Sequence, residues 1–147
     1  MAKIVESDKD VSSRRRPAGF FLNVDLDIDS PDDLRPLVAA FAPNAYSLER
    51  PEGRASFELN QPASPLSPES LILDFVRLVV SLPPAARSLW DRASRRVFDV
   101  GFQGGTLPVQ ETHRLAPETL SAIAAIGAEL AVTIYATDPE HVRDGLG

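Results

Sequence analysis

The chain contains no cysteine among its 147 residues. This absence excludes disulfide bonds, thiolate zinc sites and cysteine nucleophiles, and it fits a reducing compartment. No apolar run approaches the roughly 18 residues that a membrane helix needs, because Asp74 and Arg77 interrupt the longest candidate. The first ten residues carry charges where a secretory signal needs an apolar segment. We therefore expect a cytoplasmic protein that does not bind membranes.

Recognisable catalytic motifs are also missing. Of the two histidines, His113 falls in a predicted loop and His141 in the tail, so they lack the helical H-x-x-x-H pairing that brings two imidazoles to one metal. No serine lies in a G-x-S-x-G elbow, and residues 101–106 lack the Gly-Lys-Ser/Thr ending of a phosphate loop. We predict no catalytic residues, no cofactor and no resident metal, and an enzyme is the less favoured class.

Acidic residues outnumber basic ones, giving a net charge of −6. Residues 1–16 hold five of the fifteen basic and three of the twenty-one acidic residues, so the remainder holds ten basic and eighteen acidic residues. A body of that sign repels phosphate backbones, which disfavours nucleic acid as a partner despite the arginine triplet at 14–16. We predict a disordered leader at 1–18, one domain at 19–137 and a loose tail at 138–147.

The stretch FFLNVDLDID at residues 20–29 is the strongest structural signal. Phe20, Leu22, Val24, Leu26 and Ile28 alternate with polar or acidic residues. This period of two predicts a strand with one apolar face and one acidic face. The following SPDD predicts a helix start capped by Ser30, although the proline at 36 should disturb its first turn.

Further along the chain, the spacing of apolar residues alternates between a period of two residues, typical of strands, and a period of 3.6 residues, typical of helices. AYSLER and RASFELN flank a Pro-Glu-Gly turn and predict a hairpin. Residues 68–82 predict the most apolar helix, and Ser67, Pro68 and Glu69 have the cap, proline and acid pattern of a helix start. A shorter helix around Trp90, a strand from Arg95, a helix that Gly127 ends and a last strand complete the order. These elements predict an α+β fold, a two-layer sandwich with a mainly antiparallel sheet of about five strands and helices on one face. The strand order stays open.

If helices cover one face of this sheet, the polar residues of every strand form the other. Ser47 is predicted to share this face. The candidate binding residues on it are Asp25, Asp27, Glu49, Glu58, Asp99 and Tyr135. A solvated surface accounts for such a charge cluster, and a docking surface for a basic partner is the functional interpretation.

Two further interpretations concern charge clusters. Asp25, Asp27 and Asp29 have the spacing of a calcium loop, but Ser30 and Pro36 stand where that loop needs glycine and glutamate, so we predict no metal there. The alternative binding site is a basic helix that would contact an anion or acidic peptide. Its candidate residues are Arg87, Arg92, Arg95 and Arg96.

Four segments of the chain stand out together: FFLNVDLDI, SPDDLRPLV, SLWDRASRRVFDVGF and APETLSAIAAIGAELAVTIY. They resemble a bacterial family known as domain of unknown function 4279, and the resemblance covers residues 19–136. It implies a small bacterial α+β domain, and it implies no catalytic residues because the family's motifs are structural.

Composition and missing motifs favour a non-enzymatic, acidic protein-interaction module that docks a basic partner on the sheet face. An immunity or antitoxin-like role is an analogy to other small acidic bacterial proteins. The alternative is a small-molecule-binding domain or a carboxylate-based hydrolase that uses Asp25, Asp27, Glu58 or Asp99, with Tyr135 nearby. The homo-oligomeric state is left open.

Overall fold

The computed structural model describes residues 20–48, 53–62, 66–106 and 110–136. Five sequence predictions lie outside these residues: the leader with its arginine triplet, Glu49, the first two residues of the Pro-Glu-Gly turn, His141 and the tail. The described part of the chain forms an α+β fold with a five-stranded sheet and four helices. No helix in this part is long and apolar enough to cross a membrane.

The elements follow the predicted order along the chain. The strands are β1 (Phe20–Asp29), β2 (Ala45–Leu48), β3 (Arg54–Leu59), β4 (Arg95–Gln103) and β5 (Glu129–Tyr135). The helices are α1 (Arg35–Phe41), α2 (Pro68–Val80), α3 (Pro84–Arg92) and α4 (Pro117–Ala125).

The sheet has the order β2-β3-β1-β4-β5, so the predicted opening strand lies at its centre. β1 pairs antiparallel with β3 and β4, and β2 pairs antiparallel with β3 as the predicted hairpin. β5 pairs parallel with β4 after a crossover through α4. The sheet is therefore mixed, with three antiparallel pairs and one parallel pair.

One cluster of buried apolar side chains joins the helices to one face of the sheet. Val24, Leu26 and Ile28 supply the centre of that face, and Trp90 of α3 is fully buried against it. The Trp90 indole N–H donates to the Ile126 carbonyl at 2.8 Å, which satisfies its buried polar atom. The opposite face of the sheet is left with the polar side chains.

Side-chain contacts fix where helices begin. Ser67 and Ser70 form a reciprocal capping box at α2, as the cap, proline and acid pattern predicts. The Glu69 carboxylate reaches α4 instead, where it accepts hydrogen bonds from the Ala116 amide at 2.7 Å and the Thr119 hydroxyl at 2.6 Å. Gly127 follows α4 with a φ of +70°, a conformation that glycine adopts without strain.

The first helix begins later than predicted. The sequence predicted a start at Ser30, but α1 begins at Arg35. Ser30 Oγ instead accepts from the Asp32 amide at 3.1 Å, and Asp33 Oδ1 accepts from the Arg35 amide at 3.0 Å. The late start places Pro36 in the first turn, where its missing N–H costs no intrahelical hydrogen bond.

A β-bulge corrects the predicted alternation of β1. The register with β4 shifts between Phe21 and Asn23, so that Phe21 lies opposite Phe102 and their ring centroids are 5.8 Å apart on the helix side. Phe20 and Leu22, which the period of two placed in the core, are exposed by 46% and 42%. The extra residue of a bulge moves the side chains of the strand residues that precede it to the opposite face of the sheet.

Candidate functional site

Three carboxylates lie side by side on three neighbouring strands of the polar sheet face. Asp25 in β1 is directly opposite Asp99 in β4. On its other side, Leu26 pairs with Phe57 of β3, so the antiparallel register brings Glu58 next to Asp25. We call Glu58, Asp25 and Asp99 the carboxylate row.

Hydroxyl groups of the two edge strands complete this row. Tyr46 of β2 lies opposite Glu58, and its phenol donates a hydrogen bond to Glu58 Oε2. At the other end, the Thr133 hydroxyl of β5 donates to Asp99 Oδ1 at 2.6 Å. The carboxylate row and these two hydroxyl groups together span all five strands, in the order Tyr46, Glu58, Asp25, Asp99 and Thr133. Glu58 and Asp99, the outer carboxylates of the row, each accept a hydrogen bond from an uncharged hydroxyl group.

The central carboxyl group is the most perturbed. Partial burial, followed by the charge of Glu58 and hydrogen bonding with it, raises the pKa of Asp25 from 3.8 to about 7. The charges of Asp27 and Asp99 act in the same direction. Asn23 Nδ2 donates to Asp25 Oδ1 at 3.3 Å, which is a weak compensation. No arginine or lysine of the described ranges forms an ion pair with the row.

The hydrogen bond to Glu58 also affects the phenol at the end of the row. That bond, together with partial desolvation and the charge of Glu58, raises the pKa of Tyr46. The phenol therefore stays protonated and remains a hydrogen-bond donor across the physiological pH range.

A second row, nearer the carboxyl end of β1, has alternating charges. Asp29 lies opposite Arg54 of β3 and Arg95 of β4, and Arg54 Nε is 3.2 Å from Asp29 Oδ1. Arg95 Nε is 3.1 Å from Glu129 Oε2 at the start of β5. We call Arg54, Asp29, Arg95 and Glu129 the paired row. A shallow pocket of about 210 Å³ lies on this part of the face.

Asp27 lies between the two rows and accepts a hydrogen bond from Ser56, the residue opposite it in β3. Ser56 is completely buried, and its hydroxyl donates to Asp27 Oδ1 at 2.6 Å. Val97, on the other side of Asp27 in β4, is also buried. Asp27 thus lies between two buried side chains on the neighbouring strands.

Exposed apolar side chains border the carboxylate row. The ring of Tyr135 lies over Gly101, where its Cε2 is 3.4 Å from the position that a Cβ would take, and Leu22 Cβ is 4.0 Å from the same position. Tyr46 and Tyr135 are exposed by 43% and 49%. A side chain larger than hydrogen at position 101 would crowd this contact. The face therefore combines negative charge with aromatic surface.

The structure brings most of the predicted site residues together. Asp25, Asp27, Glu58 and Asp99 share the polar face, while Tyr135 lies two residues beyond Thr133 and has no hydrogen bond to the row. Glu49 is outside the described residues.

The prediction missed Tyr46 because it assigned β2 the wrong facing. Ser47, predicted on the polar face, lies opposite Phe57 on the helix side, whereas Tyr46 lies opposite Glu58. The segment AYSL is compatible with either facing by pattern alone, since Ser47 and the amphipathic Tyr46 can each lie on a solvent-exposed face. Only the pairing of Ala45 with Leu59 and its complete burial fix the choice.

Metal ligation has no geometric basis in the described ranges. Within them, no group of three or more His, Asp or Glu side chains converges so as to hold a metal ion. Asp29, the third acid of the D-x-D-x-D pattern, is engaged with Arg54.

The predicted basic helix is not a single helix. Only Arg87 and Arg92 belong to α3, because the helix ends at Arg92 and Arg95 begins β4. Arg87 pairs with Asp91 and Arg92 with Asp32, each at 3.1 Å.

The two arginines of β4 also have acceptors. Arg95 pairs with Glu129 in the paired row. Arg96 donates to the carbonyls of Trp90, Asp91, Ala93 and Gly127 and lies over the Trp90 ring. Every one of the four guanidinium groups is therefore already engaged. These contacts give the anion-binding alternative no support.

Two other features lie away from the polar face. His113 is packed between the rings of Phe21 and Phe102, with centroid distances of 5.7 and 5.3 Å, and its Nε2 is 2.8 Å from Glu111 Oε1. It is therefore a packed residue, a role that no pattern in the sequence indicates. A groove of about 570 Å³ lies beside α2 and carries the Asp74–Arg77 ion pair at 2.6 Å.

Comparisons with known proteins add nothing to these geometric observations. Models of protein families, curated proteins and solved structures all gave no match to the chain. The resemblance to domain of unknown function 4279 therefore stays a prediction from the sequence motifs. The arrangement of the carboxylate row is the main basis for an inference about function.

Proposed function

We propose that the protein is a non-enzymatic interaction module of the bacterial cytoplasm that docks a basic protein partner on its polar sheet face. The observation that carries the proposal is the carboxylate row, in which three acidic side chains lie together without a cationic partner among the described residues. Like charges directly opposite one another destabilise a sheet. A cationic group from a partner would remove that cost.

The electrostatics predict how such a partner would bind. A lysine or arginine placed over Asp25 favours the ionised carboxylate, so its pKa of about 7 would fall and a proton would be released on binding. Binding should therefore be tighter at pH 8 than at pH 6. Because the contacts are electrostatic and partly exposed, affinity should also fall as salt rises.

The aromatic border supports a protein partner in particular. Tyrosine is enriched at the energetic centres of protein interfaces, because it buries a large area and keeps a hydrogen-bonding group. Tyr46 and Tyr135 are half exposed at the two ends of the face, and Leu22 adds apolar surface beside Tyr135. A basic peptide segment could contact both the carboxylates and these side chains.

A blocked peptide of six arginines is a suitable probe for the surface, measured by isothermal titration calorimetry. The row variant neutralises the three carboxylates: Glu58→Gln, Asp25→Asn and Asp99→Asn. At pH 8, where Asp25 is mostly ionised, the control variant makes nearly the same change in net charge on the helical side: Asp33→Asn, Asp91→Asn and Glu118→Gln. We expect binding by the row variant to be at least ~10-fold weaker than by wild type, and binding by the control to change less than ~3-fold. Equal losses would show that only the net charge matters.

Partner capture with the same two variants tests the biological side of the proposal. A basic protein that wild type and the control retain, and that the row variant loses, is the expected result. An immunity or antitoxin-like role further predicts that this partner is a toxin that the protein neutralises. Identical sets of captured proteins from the row variant and wild type would contradict docking on this face.

A carboxylate-based hydrolase is the second candidate, favoured by one observation. A carboxyl group with a pKa of about 7 is matched to general acid or base work near neutral pH. This role predicts hydrolysis of a test ester or phosphomonoester with a pH profile centred near 7. Asp25→Asn should abolish that activity, and activity that persists in the variant would exclude Asp25 as its acid or base.

A further inference from the structure

The last strand leaves one edge of the sheet open and apolar. β5 pairs with β4 on one side only and ends the strand order among the described residues. On the helix side, Leu130, Val132 and Ile134 are exposed by 40%, 60% and 72%, whereas Phe98 and Val100, opposite the first two of them in β4, are buried. The helices therefore cover β4 and leave β5 uncovered.

This edge lacks the usual features that keep edge strands apart. Natural edge strands carry lysine, proline or a bulge, or are very short. β5 is seven residues long, ELAVTIY, with no basic residue and no proline, and its pairing with β4 is regular. Val132, Thr133 and Ile134 are β-branched and favour the extended conformation. The opposite edge strand, β2, has only four residues.

We propose that β5 pairs antiparallel with β5 of a second copy of this chain, centred on Val132. In that register Val132 faces its own copy, Leu130 faces Ile134, Ala131 faces Thr133 and Glu129 faces Tyr135. The three exposed apolar residues of the helix side then meet apolar residues, and no two charges of like sign meet. The single charge of β5, Glu129, is already balanced by Arg95. These apolar contacts are self-complementary, as a two-fold interface requires, so a second copy of the chain fits the edge.

The pairing has a geometric consequence for the polar face. Antiparallel pairing in one sheet keeps equivalent faces on the same side, so the two carboxylate rows would lie on one side of a ten-stranded sheet. A single strand pair with three apolar side chains from each copy is a small interface. We therefore expect a dissociation constant between about 1 and 300 µM, at the weak end of specific association. This inference does not depend on what binds the polar face.

Sedimentation equilibrium of the full chain from about 5 to 500 µM tests the dimer. Val132→Lys puts two like charges opposite each other at the centre and should weaken dimerisation at least ~10-fold. Val80→Lys is the matched control, because Val80 is exposed by 65% at the end of α2. Far-UV circular dichroism and thermal melting check that both variants are folded. A wild type that stays monomeric at 500 µM, or an equal effect of both variants, would overturn the proposal.

Single-cysteine variants test the register, since the chain has no cysteine of its own. Paired residues of antiparallel strands have Cα atoms about 4.5–5.5 Å apart, within the range of a disulfide. Val132→Cys should therefore form a disulfide-linked dimer under mild oxidation. Leu130→Cys and Ile134→Cys should not, because each lies about 13 Å from its own copy in this register. Equally fast cross-linking at 130 or 134 would overturn the pairing centred on Val132.

Discussion

The carboxylate row and the paired row cross the same sheet with opposite charge arrangements. Asp25 and Asp29 are on the same face of one strand, about 13 Å apart. Asp29 has arginines opposite it on both neighbouring strands, whereas Asp25 has Glu58 on one side and Asp99 on the other. Local stability accounts for the paired row. It does not account for the carboxylate row, where like charges lie next to one another. Locally unfavourable arrangements of this kind are found mainly at functional sites.

Neutralising the centre of the carboxylate row should produce the largest effect. Burial and neighbouring charges raise the pKa of Asp25 from 3.8 to about 7, so the folded protein binds a proton that the unfolded chain releases. Wild type therefore loses stability as the pH rises from about 4 to 7. Asp25→Asn should be more stable than wild type at pH 8 by about 1–2 kcal/mol, a value reduced for its half exposure. Urea unfolding at pH 4 and pH 8 measures this gain.

The pH dependence is the control for this substitution. At pH 4 the Asp25 carboxyl is protonated in the folded state, so variant and wild type should have nearly equal stability. A gain of the same size at both pH values would mean that repulsion in the row is not its cause.

Removing the hydroxyl at the β5 end of the row should have the next largest effect. Thr133→Val keeps the shape of the side chain and deletes the donor to Asp99 Oδ1. We expect a loss of about 1 kcal/mol at pH 8, because Asp99 then lacks its donor beside another carboxylate. In the Asp25→Asn background the loss should be smaller. Urea unfolding of a double-mutant cycle measures the difference, and strictly additive effects would contradict coupling along the row.

The paired row should respond to the same chemical change with the opposite sign. Asp29→Asn removes the partner of Arg54 and leaves Arg95 opposite a neutral residue. We expect a loss of about 0.5 kcal/mol at pH 8, the scale of a partly exposed ion pair. Asp25→Asn, on the same strand, is its matched comparison. A stabilising effect of Asp29→Asn would remove the distinction between the two rows.

Salt should produce the smallest effect. At 1 M salt the screening length is about 3 Å, so repulsion in the exposed part of the carboxylate row weakens. We expect wild type at pH 8 to gain a few tenths of a kcal/mol more than Asp25→Asn between 0.05 and 1 M sodium chloride. Chemical unfolding with urea at both salt concentrations measures the difference. Equal gains in stability for the two proteins would show that net charge alone causes the salt effect.

Local patterns in the sequence predicted the fold well. The alternation of Val24, Leu26 and Ile28 and the cap at Ser67 correspond to β1 and α2 because each pattern acts within one element. The positions of Asp25, Asp27, Glu58 and Asp99 on the polar face followed from the same kind of alternation. The α+β class is confirmed by the sheet and the four helices.

Features that depend on pairing could not be predicted in this way. The bulge at Phe21 has no signature in FFL, since all three residues are apolar and either facing is compatible with the pattern. The alignment of Glu58, Asp25 and Asp99 requires the strand order and two registers, which the long-range pairing of β1 with β3 and β4 sets. Tyr46 could have been suspected only as an amphipathic residue with two possible facings.

The contact between Glu69 and the start of α4 makes one amide a reporter of local opening. Ala116 N–H is held by a residue 47 positions earlier, so its hydrogen exchange requires the start of α4 to separate from the Glu69 carboxylate at the start of α2. The hydrogen bonds from Thr119 and Ala116 lower the pKa of Glu69, so its side chain stays ionised at pH values below the ordinary pKa of 4.5. The exchange protection of Ala116 should survive mild acid and disappear only as the pH falls through that lowered pKa. This single amide thus reports whether α4, the helix that precedes the strand proposed to dimerise, is in contact with α2.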